Sequence, residues 1–119
     1  MNPAERFRKE SETNVARIGA DLDLQALSRV WVRETNRYKW SYNFAWMGRP
    51  AIQFPNDIWA MQELIWRIKP DLIIETGIAH GGSLIFSASM LSLLDYCDAI
   101  EEEKTLDPKA PRRRVLGLD

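Results

Sequence analysis

The sequence lacks the features that define several common classes of protein. Its single cysteine, Cys97, excludes an internal disulfide and a cysteine-based metal cluster within the chain. No run of about 18 apolar residues is present, so no transmembrane helix is expected. Residues 1–17 lack the apolar core of a secretory signal, and the formal net charge of −1 gives no electrostatic reason to expect nucleic acid or a membrane as a partner. We therefore expect a cytoplasmic protein.

What is present indicates a small globular domain. With 119 residues, 45% hydrophobic and 28% charged, the chain can build one modest core but not a complete doubly wound sheet. Residues 1–39 predict a helical region, in which apolar residues take up helical spacing from Asp21, with Asp21 or Asp23 as the predicted N-cap. Residues 40–55 mix aromatic residues with Gly and Pro and predict an ordered, packed loop. A helix capped by Asn56 and ended by Pro70 is predicted next.

The rest of the chain has the order strand, glycine-rich turn, helix, strand. The short apolar run from Leu72 to Glu75 predicts a buried strand. Ser83 to about Leu94 predicts a helix, and residues 95–114 predict a helix end followed by a charged surface connection. Residues 115–119 predict a second strand. The fold class is therefore predicted to be α/β, with one parallel βαβ unit behind the helical N-terminal region.

The glycine-rich turn is the candidate ligand site. Three glycines permit a sharp turn and close approach by a ligand: Gly77, Gly81 and Gly82. The helix after the turn presents unpaired N–H groups to an anion, and Ser83 adds a hydroxyl. Glu75 suits a cationic ligand group or holds the loop in place, while Asp119 at the neighbouring strand tip can accept both hydroxyls of a ribose. A carboxylate, an ammonium and a ribose are the polar groups of S-adenosylmethionine (SAM).

Two other interpretations of this turn stay open, a dinucleotide site and a purely structural turn. Residues 77–82 form a relaxed G-x-G-x-x-G in which Ala79 replaces the middle glycine, and its Cβ would lie where the backbone should approach a pyrophosphate. Asp119 also comes later than the roughly 20 residues usual in dinucleotide folds. A P-loop is excluded because no Lys-Ser/Thr pair follows the glycines. His80, the only histidine, is interpreted either as a general base or as a loop residue chosen for its backbone geometry.

Beyond the turn, a longer pattern resembles a known family, the cephalosporin hydroxylase family, which includes rhamnosyl O-methyltransferase-like proteins. The matching residues are Trp46-x-Gly48-x-Pro50-x-x-Gln53-x-Pro55-x-Asp57, Gln62-Glu63-x-Ile65, the run from Lys69 to Gly77, and Gly81-Gly82-Ser83. Members of this family look like class I SAM-dependent methyltransferases related to the magnesium-dependent catechol type. The resemblance implies a Rossmann-like fold, of which this chain would hold the N-terminal helices (1–39) and the start of the SAM-binding domain (40–119), ending with its first βαβ unit.

The resemblance also implies roles for individual residues. The turn from Gly77 to Ser83, with Ala79, His80 and Gly81 inside it, would surround the methionine end of SAM, and Ser83 and nearby N–H groups would hold its carboxylate. Asp119 would bind the ribose. Gln53 and Asp57 would lie beside the cofactor at the entrance to the site. Glu75 is also predicted to bind the cofactor, from its position and charge and not from the resemblance. No catalytic base is assigned.

The predicted function is therefore SAM-dependent O-methylation of a hydroxyl on a sugar or secondary metabolite, by in-line attack on the sulfonium methyl. Any Mg²⁺ would be held by residues beyond Asp119, none of its ligands lying in this chain. The expected partner is a small hydroxylated acceptor, and a homo-oligomer is possible. Two alternatives stay open: a non-catalytic truncated fragment that associates through exposed sheet edges, and an NAD-dependent oxidoreductase.

Overall fold

The computed structural model describes residues 1–119 and divides into two compact units, Met1–Trp40 and Ser41–Asp119. The first unit consists of two helices, α1 (Pro3–Ala20) and α2 (Leu22–Asn36). No residue of either helix is buried, so the charges interleaved along α1 remain exposed. All of the buried core of the chain lies in the second unit.

Local hydrogen bonds explain where the two N-terminal helices begin. α1 starts with a capping box in which Asn2 Oδ1 accepts a hydrogen bond from the main-chain N–H of Glu5 at 2.9 Å, and Glu5 Oε2 accepts one from Asn2 N at 3.1 Å. α2 follows Asp21, whose carboxylate accepts a hydrogen bond from Leu24 N at 3.0 Å. Of the two predicted caps, Asp21 is therefore the N-cap, and Asp23 lies in the first turn of α2.

The aromatic segment after residue 40 contains a short hairpin, where the sequence predicted only a loop. A single 3₁₀ turn (Trp40–Tyr42) leads into β1 (Phe44–Trp46), which pairs antiparallel with β2 (Arg49–Ala51). The connecting residues Met47 and Gly48 both have positive φ, 46° and 81°, as a two-residue hairpin turn requires. A non-glycine residue at the first of these positions is an uncommon choice, and it left the sequence without a hairpin signal.

The remaining elements form the predicted βαβ unit behind one further helix. They are α3 (Pro55–Ile68), β3 (Leu72–Thr76), α4 (Gly82–Glu101) and β4 (Arg114–Leu118). β3 and β4 are parallel, in a register that runs from Leu72 opposite Arg114 to Thr76 opposite Leu118. The mixed α/β class is therefore confirmed.

The structure corrects two helix boundaries. The N-cap of α3 is Phe54, not Asn56, because Pro55 occupies the first helical position, where its fixed φ favours helix initiation. α3 ends as predicted, at Lys69 in the left-handed conformation before Pro70. α4 continues to Glu101 instead of stopping near Leu94, so it is about two turns longer than the sequence suggested.

The core of the second unit lies between α3, α4 and one face of the β3–β4 sheet. Its buried members are Ile65, Phe86, Leu91 and Leu94, with Ile73 and Val115 of the sheet packed against them. α4 is long and apolar enough to cross a membrane by length and composition, but its contacts with α3 and with three strands identify it as the core helix of this unit. The opposite sheet face leaves four apolar side chains about half exposed: Leu72, Ile74, Leu116 and Leu118.

The charged connection before β4 is not uniformly solvated, contrary to the sequence-based expectation for residues 95–114. Arg113 is buried and forms ion pairs with Asp95 at 2.9 Å and Asp98 at 2.7 Å, both on α4. Asp95 Oδ2 also accepts hydrogen bonds from the main-chain N–H groups of Arg112 and Arg113, at 3.0 and 3.2 Å. This group, hereafter the Arg113 cluster (Asp95, Asp98 and Arg113), fixes the start of β4 on α4.

Candidate functional site

The candidate site is a cleft at the edge where the two parallel strands end. Gly77 N donates a hydrogen bond to the carbonyl of Leu118 at 2.7 Å, which keeps the two strand ends together as the chain leaves β3. A cleft of about 500 Å³ opens beside them. Its lining comes from β2 and its exit, α3, β3, the glycine-rich turn and the start of α4: Pro50, Ile52, Gln53, Met61, Ile73, Ile74, Glu75, Thr76, Gly77, Ile78, Ala79, His80, Gly82, Ser83 and Ser87.

The glycine-rich turn owes its shape to three residues with positive φ: Gly77 at 72°, Ala79 at 46° and Gly81 at 85°. A Cβ built on Gly77 or Gly81 would meet no atom within 4 Å, so these glycines are required for backbone conformation and not for packing space. Ala79 adopts the same left-handed region without being glycine, which costs roughly 1–2 kcal/mol. The turn is thus held in a strained shape that leaves its outer side open.

Gly82 serves a different purpose from the other two glycines. A Cβ at this position would lie 2.3 Å from the Pro50 carbonyl oxygen and 2.6 Å from Ala51 Cβ. The close approach that Gly82 permits is therefore made by strand β2, and not only by a ligand as the sequence suggested. This contact brings the hairpin against the first turn of α4, where it forms one wall of the cleft.

The first turn of α4 has main-chain N–H groups without hydrogen-bond acceptors in the helix. Its N-cap, Gly81, has no side chain to accept a hydrogen bond, and the first main-chain bond of the helix runs from Ile85 N to the Gly81 carbonyl at 3.0 Å. The N–H groups of residues 82–84 therefore have no intrahelical acceptor. Together with the helix dipole, they favour an anion at this end of the cleft.

Beside this helix start, Ser83 Oγ donates a hydrogen bond to Glu75 Oε1 at 2.6 Å. Both side chains are half-buried and line the cleft. A hydroxyl has one proton to donate, so in this arrangement Ser83 cannot also donate to a ligand carboxylate. What the pair still offers a ligand is negative charge on Glu75 and a lone pair on Ser83, both suited to a cationic donor.

The other predicted site residues divide into two groups. Gln53 and His80 line the cleft; Gln53 is half-buried and His80 is exposed, with no side-chain hydrogen bond or ion pair. Asp57 and Asp119 are exposed and do not line it, and Gly81 contributes through backbone conformation only. Asp119 directly follows the end of β4, next to the strand tip that carries Glu75.

Among the lining residues that were not predicted to belong to the site, Ser87 and Met61 bear most on what the cleft can bind. Ser87 is 7% exposed and lies one helical turn beyond Ser83. Met61, on α3, is 46% exposed and reaches the cleft. The four-residue spacing between Ser83 and Ser87, which places both on one helix face, was the sequence signal that could have identified Ser87.

No group of three or more His, Cys, Asp or Glu side chains in the structure is arranged to hold a metal ion. Glu75 lines the cleft and accepts a hydrogen bond from Ser83, whereas Asp57 does not line the cleft. The side chains of this cleft therefore do not form a magnesium site, and a bound magnesium ion would need ligands from other residues.

Comparison with known proteins gives a consistent assignment. Residues 38–119 match the family described as rhamnosyl O-methyltransferase/CmcI. The chain is 30% identical over 92 residues to a rhamnosyl O-methyltransferase of Mycobacterium leprae (strain TN), covering 69% of this chain and 40% of that protein. It is 31% identical over 85 residues to rhamnosyl O-methyltransferases of Mycobacterium bovis (strain BCG / Pasteur 1173P2) and Mycobacterium tuberculosis (strain ATCC 25618 / H37Rv), covering 63% of this chain and 35% of each. No solved structure matches the chain significantly.

The chain spans less than half the length of these curated relatives. The family match nevertheless covers most of the chain, and residues 38–119 include the hairpin, the βαβ unit and the whole lining of the cleft. The family assignment made from the sequence motifs is therefore confirmed. This chain belongs to the rhamnosyl O-methyltransferase/CmcI family.

Proposed function

We propose that this chain carries the part of an O-methyltransferase that binds the methionine end of SAM. The observation that carries the proposal is the pairing of Glu75 with Ser83 beside the open first turn of α4, at the edge where two parallel strands end. The methionine end of SAM bears a carboxylate and an ammonium, and this corner of the cleft offers one complementary group to each. Relatives named rhamnosyl O-methyltransferase support methyl transfer as the reaction.

The hydrogen bond between Ser83 and Glu75 modifies the roles implied by the sequence. In the proposal, the ligand carboxylate is held by the free N–H groups of residues 82–84, without the Ser83 hydroxyl, whose proton goes to Glu75. The ammonium donates to Glu75 and to the Ser83 oxygen. Gly77 and Ala79 keep the outer side of the turn open, so the chain contributes chiefly by fixing the position and orientation of the donor.

The rest of the reaction is proposed from the family and from residue chemistry. SAM, when bound, supplies a methyl group on a positively charged sulfur. Asp119 is proposed to bind the ribose, and Gln53 and Asp57 to lie at the entrance. The acceptor is proposed to be a small molecule with a free hydroxyl, a sugar or a secondary metabolite. A metal bound by residues outside this cleft would lower the pKa of that hydroxyl.

Isothermal titration of the chain with S-adenosylhomocysteine tests this proposal. Glu75→Gln keeps the shape of the side chain but removes its charge, so we expect S-adenosylhomocysteine to bind at least about tenfold more weakly, as for the loss of a charge-assisted hydrogen bond. Glu63→Gln, at an exposed position of α3 outside the cleft, is the matched control and should bind like the wild type. Equal affinity of the Glu75 variant and the wild type would refute the assigned role of Glu75.

A second candidate function is association with another copy of the chain. The observation that favours it is the uncovered sheet face with its four half-exposed apolar side chains, Leu72, Ile74, Leu116 and Leu118. Sedimentation equilibrium distinguishes this candidate, because a dimer that Leu116→Lys dissociates would support it. A wild-type chain that stays monomeric at high micromolar concentration would exclude it.

A further inference from the structure

The cleft contains a second polar position besides the Glu75–Ser83 pair. Ser87 lies on α4 one turn beyond Ser83, and its side chain lines the cleft although the residue is only 7% exposed. Arg113 Nε is the one fully buried side-chain polar atom without a partner, so the Ser87 oxygen, although its residue is buried, is open to the cleft. The partners available to Ser87 therefore decide what this position is for.

The neighbouring serines of α4 show what a satisfied hydroxyl looks like in this helix. Ser83 Oγ donates to Glu75, and Ser89 Oγ donates to the Ile85 carbonyl at 2.7 Å and accepts from Trp46 Nε1 at 3.0 Å. The Ser87 hydroxyl makes no hydrogen bond to any protein group, neither to a side chain nor to the carbonyl one turn earlier. Its hydrogen-bonding capacity is therefore available to whatever occupies the cleft.

The surroundings of Ser87 limit the chemistry of that occupant. The apolar part of the cleft lining includes residues from β2 and its exit, α3 and β3: Pro50, Ile52, Met61 and Ile73. The other neutral polar side chains of the lining, besides Ser83, include the carboxamide of Gln53 and the hydroxyl of Thr76. Glu75, the acid of the cleft, is already bonded to Ser83, and Ser87 lies beyond the free N–H groups of the helix start, so it adds a hydroxyl and no charge.

We propose that Ser87 is a binding residue for the acceptor and that it hydrogen-bonds a neutral hydroxyl of a sugar-like molecule. This inference rests on the proposed function, because it assumes that the donor occupies the Glu75–Ser83 end of the same cleft. A sugar ring suits the position because its C–H surface can pack on Ile52 and Met61 while a ring hydroxyl reaches Ser87. Met61, flexible and half-exposed, can adjust to the ring.

The test uses the 119-residue chain saturated with S-adenosylhomocysteine and titrated with methyl α-L-rhamnopyranoside, with binding followed by NMR shifts of backbone amides. Ser87→Ala removes the hydroxyl and leaves the helix intact. Ser92→Ala, at an exposed position of the same helix, is the matched control. We expect Ser87→Ala to weaken rhamnoside binding about three- to tenfold, as for one neutral hydrogen bond, with the affinity for S-adenosylhomocysteine unchanged.

Three outcomes would overturn the proposal. They are no rhamnoside binding by the wild type, equal rhamnoside affinity in the wild type and Ser87→Ala, and a parallel loss of S-adenosylhomocysteine affinity, which would assign Ser87 to the donor. Failure of the proposed function is a separate result, because it would appear as the absence of S-adenosylhomocysteine binding in the wild type before any rhamnoside is added.

Discussion

Replacing Arg113 with methionine tests whether the Arg113 cluster holds strand β4 in place. The Arg113 guanidinium donates to Asp95 at 2.9 Å and to Asp98 at 2.7 Å, and the side chains of Arg113 and Asp95 are only 6% and 5% exposed. The substitution leaves the Asp95 carboxylate buried without its cation, which costs about 3–5 kcal/mol for a buried pair. Arg113 Nε is itself buried without a partner in the native protein, a defect that the variant removes, so we expect a loss near the lower figure, about 3 kcal/mol.

The neighbouring arginine provides the control for this experiment. Arg112 makes ion pairs with Asp98 and Glu102, both at 3.3 Å, but its side chain is 60% exposed. Arg112→Met should therefore cost no more than about 1 kcal/mol. Urea unfolding at pH 7, followed by circular dichroism, gives both values. Equal losses in the two variants would refute the reasoning, because they would show that burial does not distinguish the two arginines.

The difference in stability between the wild type and Arg113→Met should depend on pH. The hydrogen bond from Arg113 lowers the pKa of Asp98 below its ordinary value of 3.8. Burial alone would lower the pKa of Arg113, but its hydrogen bonds to Asp98 and Asp95 raise it, so Arg113 stays charged throughout. A carboxyl group whose pKa is lower in the folded protein than in the unfolded chain stabilises the fold at any pH above its unfolded pKa. This stabilisation is lost as the pH falls through its folded pKa. The stability difference between wild type and Arg113→Met should therefore be present above the ordinary Asp98 pKa of 3.8 and shrink as the pH falls from there through the lower folded pKa.

Two further predictions concern the glycines around the cleft. Gly82→Ala places a Cβ 2.3 Å from the Pro50 carbonyl oxygen, so we expect a loss of roughly 1–3 kcal/mol in urea unfolding as the hairpin shifts off α4; unchanged stability would mean that the contact yields easily. Gly77→Ala meets no atom but must adopt a φ of 72°, so its cost should be about 1–2 kcal/mol from backbone conformation alone. If Gly77→Ala proves neutral, the turn must have a second conformation in which this φ is negative.

The sequence was sufficient for the elements whose signals are local. Pro70, the apolar run that begins at Leu72 and the glycine-rich turn each mark a boundary within a few residues, and together they predicted the βαβ order that the structure has. The hairpin at residues 44–51 lacked such a signal, because its turn uses Met47 at positive φ where glycine or asparagine would have revealed it.

The features that the sequence did not reveal depend on partners far along the chain. Arg113 is one of three consecutive arginines, and nothing in that run shows that it alone is buried; its burial depends on Asp95, 18 residues earlier. Gly82 is required by the carbonyl of Pro50, more than 30 residues away. The Ser83–Glu75 bond spans a turn whose shape is set by positive φ at three positions. Such contacts follow from the folded arrangement and not from local pattern.

The open helix start beside Glu75 and Ser83 is proposed to hold the methionine end of SAM. The most direct test is to titrate the ¹⁵N-labelled chain with S-adenosylhomocysteine, with NADH in a parallel sample, and to map the amide shifts. We expect saturable shifts at Gly77, at Ser83 and at the N–H groups between them, with no comparable change from NADH. Shifts with NADH alone, or no shift in residues 77–84 with S-adenosylhomocysteine, would show that this turn does not bind the donor.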